Sequence, residues 1–281
     1  MPVYCHWHLV PALLASLEKQ TFARQRFEII LVENGPPDSS APSGTFHNAQ
    51  IVRCETPGSY AARNRGVEYA AGEWLVFTDA DCQPAPQWLQ ELDETVSRLG
   101  QWTLLAGSIE VTPRTSHPGP YEMYDLVKGI PQARYVERGY AATANLAVSK
   151  ALFRQLGGFD GIRYSGGDGE FCRRAVSNGC SLVYVDAARV AHPARVSWDE
   201  IKTKARRVKG GQLSGREGKR RTFRWVLSTL TPPVRGIWNY LTHSRHPLRF
   251  RVVASAIQLR IWLVEIKELL RLSFGGSAER R

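Results

Sequence analysis

Cysteine and methionine are scarce in this chain, five and two among 281 residues. Cys5, Cys54, Cys82, Cys172 and Cys180 include no close-spaced pair, which argues against a zinc ribbon or a Cys-x-x-Cys redox centre. An odd number of thiols, with no basic and apolar leader pattern, fits reduced cysteines in the cytoplasm and not a disulfide-stapled secreted domain. No apolar run is long enough to span a bilayer. The longest stretch, Phe250 to Phe274, is interrupted by Arg251, Arg260, Glu265, Lys267, Glu268 and Arg271. Acidic residues become rare only near the end: residues 195–281 hold 20 Lys+Arg against 6 Asp+Glu, whereas residues 1–194 hold 17 against 20. The net charge of +11 is therefore a property of the last third. It points there to a polyanionic partner: an anionic membrane surface, nucleic acid or a phosphorylated acceptor.

A hydrophobic content of 43% supports a packed core, and the patterning says what kind. Leu9 to Leu17 has helical spacing, Phe27 to Val32 reads as a buried strand, and Asn34 to Ser40 is a turn. Ile51 to Arg53 is a short strand, Tyr60 to Ala71 a helix closed by Gly72, Trp74 to Thr78 a strand, and Ala85 to Leu99 a helix. Strands alternating with helices predict an α/β fold, a mostly parallel sheet flanked by helices. Further strands are expected at Leu104 to Val111, Asn145 to Val148 and Leu182 to Val185, with helices at Lys150 to Leu156 and Glu170 to Ser177. From Trp198 the pattern is helical and basic. We therefore expect a catalytic domain over 1–195, with a donor half (about 1–100) and an acceptor half (about 101–195), followed by a helical region over 196–281.

In such folds ligands bind beyond the carboxyl ends of strands. Phe77-Thr78-Asp79-Ala80-Asp81 puts two carboxylates, two residues apart, at such an end. In extended chain that spacing turns both to one side, where they repel unless a cation neutralises them. Mg²⁺ or Mn²⁺ takes carboxylate and phosphate oxygens together, so the pair can anchor a diphosphate. Two aspartates that merely end a strand are the plainer explanation, and the triplet alone does not choose between them.

Its neighbours do. Pro2-Val3-Tyr4, Gln20-Thr21-Phe22, Glu33-Asn34-Gly35, Ala62-Arg63-Asn64-Arg65-Gly66, Gly72-Glu73-Trp74, Pro84, Asn145 to Val148, Gly157-Gly158-Phe159-Asp160 and Gly167-Asp168-Gly169-Glu170-Phe171 with Arg174 occur in an order that resembles glycosyltransferase family 2, from Pro2 to about His192. The resemblance implies a GT-A (Rossmann-like) fold and sugar transfer from a nucleoside diphosphate, UDP favoured, with Mn²⁺ or Mg²⁺. It implies that Pro2 and Tyr4 line the base pocket, Glu33 holds base or ribose, and Arg63 contacts base or diphosphate. Asp79, Ala80 and Asp81 form the metal motif, with His192 completing coordination. Asp168 becomes the general base of an inverting reaction, with Glu170 in reserve, and Asn145, Gly167 and Arg174 face the acceptor. Two departures stand out: Gly167 replaces the acidic residue usual before the base, and the first strand is expected to be unusually short. His6, His8, His47 and His117 have no such context.

In the last third, Lys202, Lys204, Arg206, Arg207, Lys209, Arg216, Lys219, Arg220, Arg221 and Arg224 mingle with Trp198, Phe223, Trp225, Trp238 and Tyr240. A solvated helical face is the ordinary explanation of a charge run. Cations interleaved with aromatics suit a membrane interface, and the long apolar helix expected at 250–274 seeks burial against protein, another copy or lipid. The expectation is a peripheral enzyme on the inner face of the cell membrane, acting on a saccharide or lipid-linked acceptor. Three alternatives differ in class. A nucleotidyltransferase needs a Gly-rich basic loop where Tyr4-Cys5-His6-Trp7-His8 stands. A nucleic-acid-binding protein explains the tail but not Asp79, Asp81, Arg63 and Asp168, so nucleic acid is disfavoured as a partner. A degenerate scaffold accords with Gly167.

Overall fold

The structure is a computed structural model that describes residues 1–36, 49–163, 165–214, 219–242 and 245–279. The later part of the turn expected at 34–40, His47 and Arg216 lie outside the described residues, as do the side chains of Lys219, Arg220, Arg221 and Arg224. The chain divides into two compact units. One comprises Met1–Glu110, Pro131–Ile162 and Gly167–His192; the other comprises Val111–Ile130, Arg163–Gly166 and Pro193–Arg281.

The first unit opens with β1 (Pro2–Val3), α1 (Val10–Glu18), β2 (Ile29–Glu33), β3 (Ala49–Arg53), α2 (Ser59–Tyr69), β4 (Trp74–Phe77), β5 (Gln83–Pro84) and α3 (Trp88–Leu99). After β6 (Thr103–Thr112), α4 (Pro120–Lys128) belongs to the second unit; α5 (Gln132–Val136), β7 (Leu146–Ser149), α6 (Lys150–Gln155), α7 (Gly167–Ser177) and β8 (Ser181–Pro193) follow. β1, β2 and β3 form a parallel sheet, with Val3 opposite Glu33 and Val32 opposite Val52. α1 supplies the crossover that parallel neighbours require between β1 and β2. A second, mixed sheet runs β4-β7-β6-β8-β5. In it β7 lies antiparallel to both β4 and β6, and β5 antiparallel to β8. The parallel pairs of β1, β2 and β3 thus lie between residues 2 and 53.

β1 has two residues, and β2 and β4 belong to different sheets. A cavity of about 630 Å³ is walled by Ile29, Trp74, Val76, Leu89, Leu92 and Val96 among others. The main core forms on the other strands, from Leu75, Phe77, Leu104, Leu146 and Val148 with Phe153, Phe159 and Phe171. These three phenylalanines stand 4.9 to 5.2 Å from one another, a packed aromatic triangle that fixes the loop between α6 and α7. All five cysteines are free thiols, and burial pushes Cys172 up to about 12.

The second unit is helical: α4 with α8 (Trp198–Ser214), α9 (Lys219–Leu230), α10 (Val234–Leu241) and α11 (Leu248–Ser273). Tyr124 and Val127 of α4 meet Ile201 and Ala205 of α8 and Ala254, Ile257 and Ile261 of α11 in one apolar cluster. Among the described residues no helix is long and apolar enough to cross a membrane.

Candidate active site

Because β1 and β2 are parallel and in register, their carboxyl ends leave the sheet side by side. The Asn34 N–H donates to the Val3 carbonyl at 2.8 Å. Pro2 sits in β1 opposite Val32, and the chain turns away after Tyr4 through Cys5, whose φ of 57° is the one positive value among described non-glycine residues. Glu33 closes β2 and pairs with Arg53 at 3.3 Å. Asn34 is buried and ties this rim together: its amide NH₂ donates to the Cys54 and Thr56 carbonyls, and its oxygen accepts from the Gly58 N–H.

Gly58 starts α2, the helix that organises the rest. Arg63 is buried and donates from Nη2 to Asp79 Oδ1 at 2.5 Å. Burial would push the Asp79 carboxyl up. The Arg63 guanidinium, then His192, outweigh that and hold it below the ordinary carboxylate value. Asn64, on the adjoining face, grips Phe159 twice, donating to its carbonyl at 2.7 Å and accepting from its N–H at 3.0 Å. A Cβ at Gly66 would meet Val32 Cγ2 at 2.9 Å, so a side chain there would force α2 off the sheet. Each of the three residues in the Arg-Asn-x-Gly run thus has its own task.

Three residues before Arg63, Tyr60 lies on the same side of α2. Its hydroxyl donates to Asp168 Oδ1 at 3.0 Å, and the Gly169 N–H donates to the same oxygen at 2.9 Å. Burial, then the Asp168 charge, raises the Tyr60 phenol, so it stays protonated and donating. The Arg63 guanidinium lies 5.6 Å from the Tyr60 ring centre. A continuous line of contacts therefore runs from Asp79 through Arg63 and Tyr60 to Asp168. The other carboxylate oxygen, Oδ2, has no partner among the described residues. Asp168 lies inside the first turn of α7, which begins at Gly167, three residues earlier than the pattern predicts.

Asp81 meets His192 from β8, Oδ2 to Nε2 at 3.9 Å, and Cys82 Sγ lies 4.0 Å from Asp81 Oδ1. One ligand atom from each of Asp81, Cys82 and His192 falls within 4.8 Å of the other two. The cluster contains two of the three expected metal ligands. Cys82 joins it in place of Asp79, whose Oδ1 is held by Arg63. Burial and the two carboxylates raise the Cys82 thiol well above its ordinary value and keep it protonated at neutral pH. The remaining oxygen and nitrogen donors suit Mn²⁺ or Mg²⁺. Arg63 Nε is buried and has no hydrogen-bond partner among the described residues.

Three further expected positions make close contacts within the chain. Asn145, placed on the acceptor side by the sequence, is fully buried: it accepts from Trp88 Nε1 at 2.9 Å and donates to the Ser108 and Ala188 carbonyls at 2.8 Å each. These hydrogen bonds of its amide are all internal. Arg174 donates to the carbonyls of Leu156 and Gly158, closing the carboxyl end of α6, and binds both oxygens of Glu170, at 2.8 and 3.0 Å. Glu170, the reserve base, is held by that fork. Gly167 is buried, and a Cβ there would stand 2.8 Å from the Tyr60 ring. An acidic side chain at 167, as is usual in the family, would meet the Tyr60 ring.

A model of glycosyl transferase family 2 matches residues 1–153. The chain belongs to this family. It is 32% identical over 246 residues to the glycosyltransferase AglE of Haloferax volcanii, covering 83% of this chain and 80% of that protein. A pre-mycofactocin glycosyltransferase of Mycobacterium tuberculosis is 25% identical over 193 residues, 64% of this chain and 40% of its own length. Among solved structures, GalNAc-T7 with UDP, GalNAc and Mn²⁺ superposes with a TM-score of 0.55 at 20% identity, over 72% of this chain and 45% of that one. A mannosyltransferase of Pyrobaculum calidifontis in complex with GDP-Man and Mn²⁺ gives 0.53 at 15% identity, over 99% of this chain and 75% of that one. The fold is GT-A, and the chain is a nucleotide-sugar-dependent glycosyltransferase. For this family member, sequence reasoning missed Tyr60, Cys82 and the structural use of Asn64. The signal for Tyr60 was its place three residues before Arg63, one helical turn.

Proposed function

We propose that this chain is an inverting, divalent-cation-assisted hexosyltransferase that moves a sugar from a UDP-sugar to a hydroxyl of a saccharide or lipid-linked acceptor in cell-surface polysaccharide or glycolipid synthesis. The observation that carries this reading is the posture of Asp168, with Oδ1 held by Tyr60 and Gly169 and Oδ2 left to act. In the proposed reaction Oδ2 removes the acceptor hydroxyl proton as that oxygen attacks the anomeric carbon. A new carbon–oxygen bond forms while the bond to the diphosphate breaks on the opposite face, and the electron pair leaves with the diphosphate. Asp81 and His192 are the residues to hold the cation, which when bound would offset charge on the departing diphosphate. Arg63 orients Asp79 and offers its Nε to the donor, while Tyr4 and Glu33, at adjacent strand ends, receive the base and ribose.

The test is a thermal-shift panel of UDP, GDP and dTDP, each with and without Mn²⁺. UDP with Mn²⁺ is expected to raise Tm the most, and Asp81→Ala to remove the metal-dependent part. A flat response to every nucleotide and metal combination would overturn the reading.

The acceptor side of the reading includes a membrane. Residues 195–281 carry the excess of 14 positive charges, and Phe223, Trp238 and Phe274 are all at least two-thirds exposed there. Those features support a peripheral enzyme on an anionic inner membrane face, where a lipid-linked acceptor would be held.

A further inference from the structure

A small cavity of about 80 Å³ lies between α4, α8 and α11, all in the second unit. We propose that it binds a phosphoryl group. The volume is that of two to three waters at about 30 Å³ each, the scale of one tetrahedral oxyanion. Three cations face it: Lys128 from α4, Arg195 from the segment before α8, and Lys204 from α8. Two carboxylates also face it, and each already has a cation: Asp125 is paired with Arg195 within the cavity wall, and Glu265 with Lys209 behind it. Asp125 accepts from Arg195 Nη1 at 2.8 Å and from the Arg195 N–H at 3.0 Å; Glu265 pairs with Lys209 at 3.3 Å.

Once these pairs are formed, Lys128 and Lys204 have no carboxylate within ion-pair distance among the described residues. Lys128 donates only to the Tyr124 hydroxyl, at 2.9 Å. The hydroxyls of Tyr124 and Tyr240 both reach Gln258 Oε1, at 3.1 and 3.2 Å. That turns the Gln258 oxygen away from a would-be anion and leaves its amide NH₂ as a further donor on the wall. Burial, then the charges of Arg195 and Lys128, push the Lys204 ammonium well below the ordinary lysine value, while Asp125 opposes and Arg207 adds to the depression. An uncompensated ammonium in a pocket whose field is already positive is costly, and one oxyanion accepting from Lys204, Lys128 and Gln258 removes that cost. No residue of the candidate active site lines this cavity, so phosphate binding here is independent of the transferase reading.

The probe is inorganic phosphate against ionic-strength-matched chloride, read as Tm and by calorimetry on the full chain. Saturable stabilisation by phosphate is expected. Lys204→Met should weaken binding on the order of tenfold or more, and Lys128→Gln, at an exposed position that the fold tolerates, by several-fold. Lys202→Gln on the solvent side of α8, where Lys202 pairs with Asp199, serves as the control and should change nothing. A second arm uses neutral-lipid vesicles with and without a phosphomonoester lipid. Retention on the latter that free phosphate displaces would identify a lipid headgroup as the source; phosphate binding without retention would identify a soluble phosphate. The proposal is overturned if phosphate gives no Tm shift beyond ionic-strength-matched chloride, whatever Lys204→Met does to Tm. It is also overturned if both lysine variants bind phosphate as the wild type does.

Discussion

At the scale of single residues, the site depends on how Tyr60 constrains two aspartate-bearing segments. Its hydroxyl holds Asp168, its ring packs beside the Arg63 guanidinium that holds Asp79, and its bulk requires glycine at 167. If Asp168 is the base, its Oδ2 must be aimed as well as charged, and a hydrogen bond to Oδ1 is the means of aiming it. Tyr60→Phe removes one hydrogen bond and keeps the packing. We expect kcat to fall on the order of tenfold with the donor KM unchanged, the pattern of an interaction that matters only as the reaction proceeds. A rise in donor KM with kcat intact would assign Tyr60 to donor binding instead. Asp168→Asn should keep UDP binding in the thermal-shift assay and lose transfer. Turnover retained by that variant would pass the base role to Glu170, which the Arg174 fork makes a poor candidate.

At the scale of elements, helix and strand positions were largely legible because apolar periodicity reports burial. α1, β2, α2, β4, α6 and β7 lie within a few residues of where the pattern predicts them. The carboxylates were legible for the same reason: Asp79 and Asp81 follow an apolar strand, and strand ends are where such folds place their chemistry. Partnership was not legible. Asn145 fits a motif shared by a whole family, and nothing in its spacing tells that Trp88, 57 residues away, uses its oxygen. α4 was not predicted, and its apolar residues Tyr124 and Val127 pair with α8 and α11 far along the chain.

Long-range pairing of this kind also joins the C-terminal helices. Glu268 of α11 is buried and accepts from Arg206 of α8 at 3.0 Å and from Arg271 at 2.9 and 2.5 Å. Burial raises its carboxyl, but the two guanidinium groups outweigh that and hold it below the ordinary glutamate value. The folded-state pKa is therefore the lower one. The pair's stabilisation is present in full above the unfolded-state value and is lost as pH falls through the folded one. Glu268→Gln should lower the urea midpoint measurably at neutral pH, by less than breaking a fully buried pair, since the two arginines it leaves are about a third exposed and can be hydrated. The gap between wild type and variant should narrow as pH falls into the acid range; a gap that ignored pH would mean the ion pairs contribute nothing.

At the scale of the whole molecule, the question is what the basic, helical third faces. Exposed apolar positions on α11 recur along its length at Leu248, Val252, Leu259, Leu263 and Leu270, two in every three helical turns, which keeps them on one stripe, and Phe274 follows just past its end. α10 adds Val234 and Trp238, and α9 adds Phe223 and Leu227. Charge alone would give binding that salt abolishes, because polybasic attraction is screened within a Debye length. Apolar burial would leave a residue of binding that salt cannot remove. The two contributions can therefore be separated in one titration. The full chain should sediment with anionic vesicles at low ionic strength, weaken as salt rises, and keep a plateau. Trp238→Glu should lower that plateau by about tenfold in affinity, since it replaces an exposed indole with a charge of the membrane's own sign. Failure to sediment at low salt would remove the membrane. If sedimentation failed while the mass in solution rose with concentration, the stripe would instead be the face on which two copies of the chain meet.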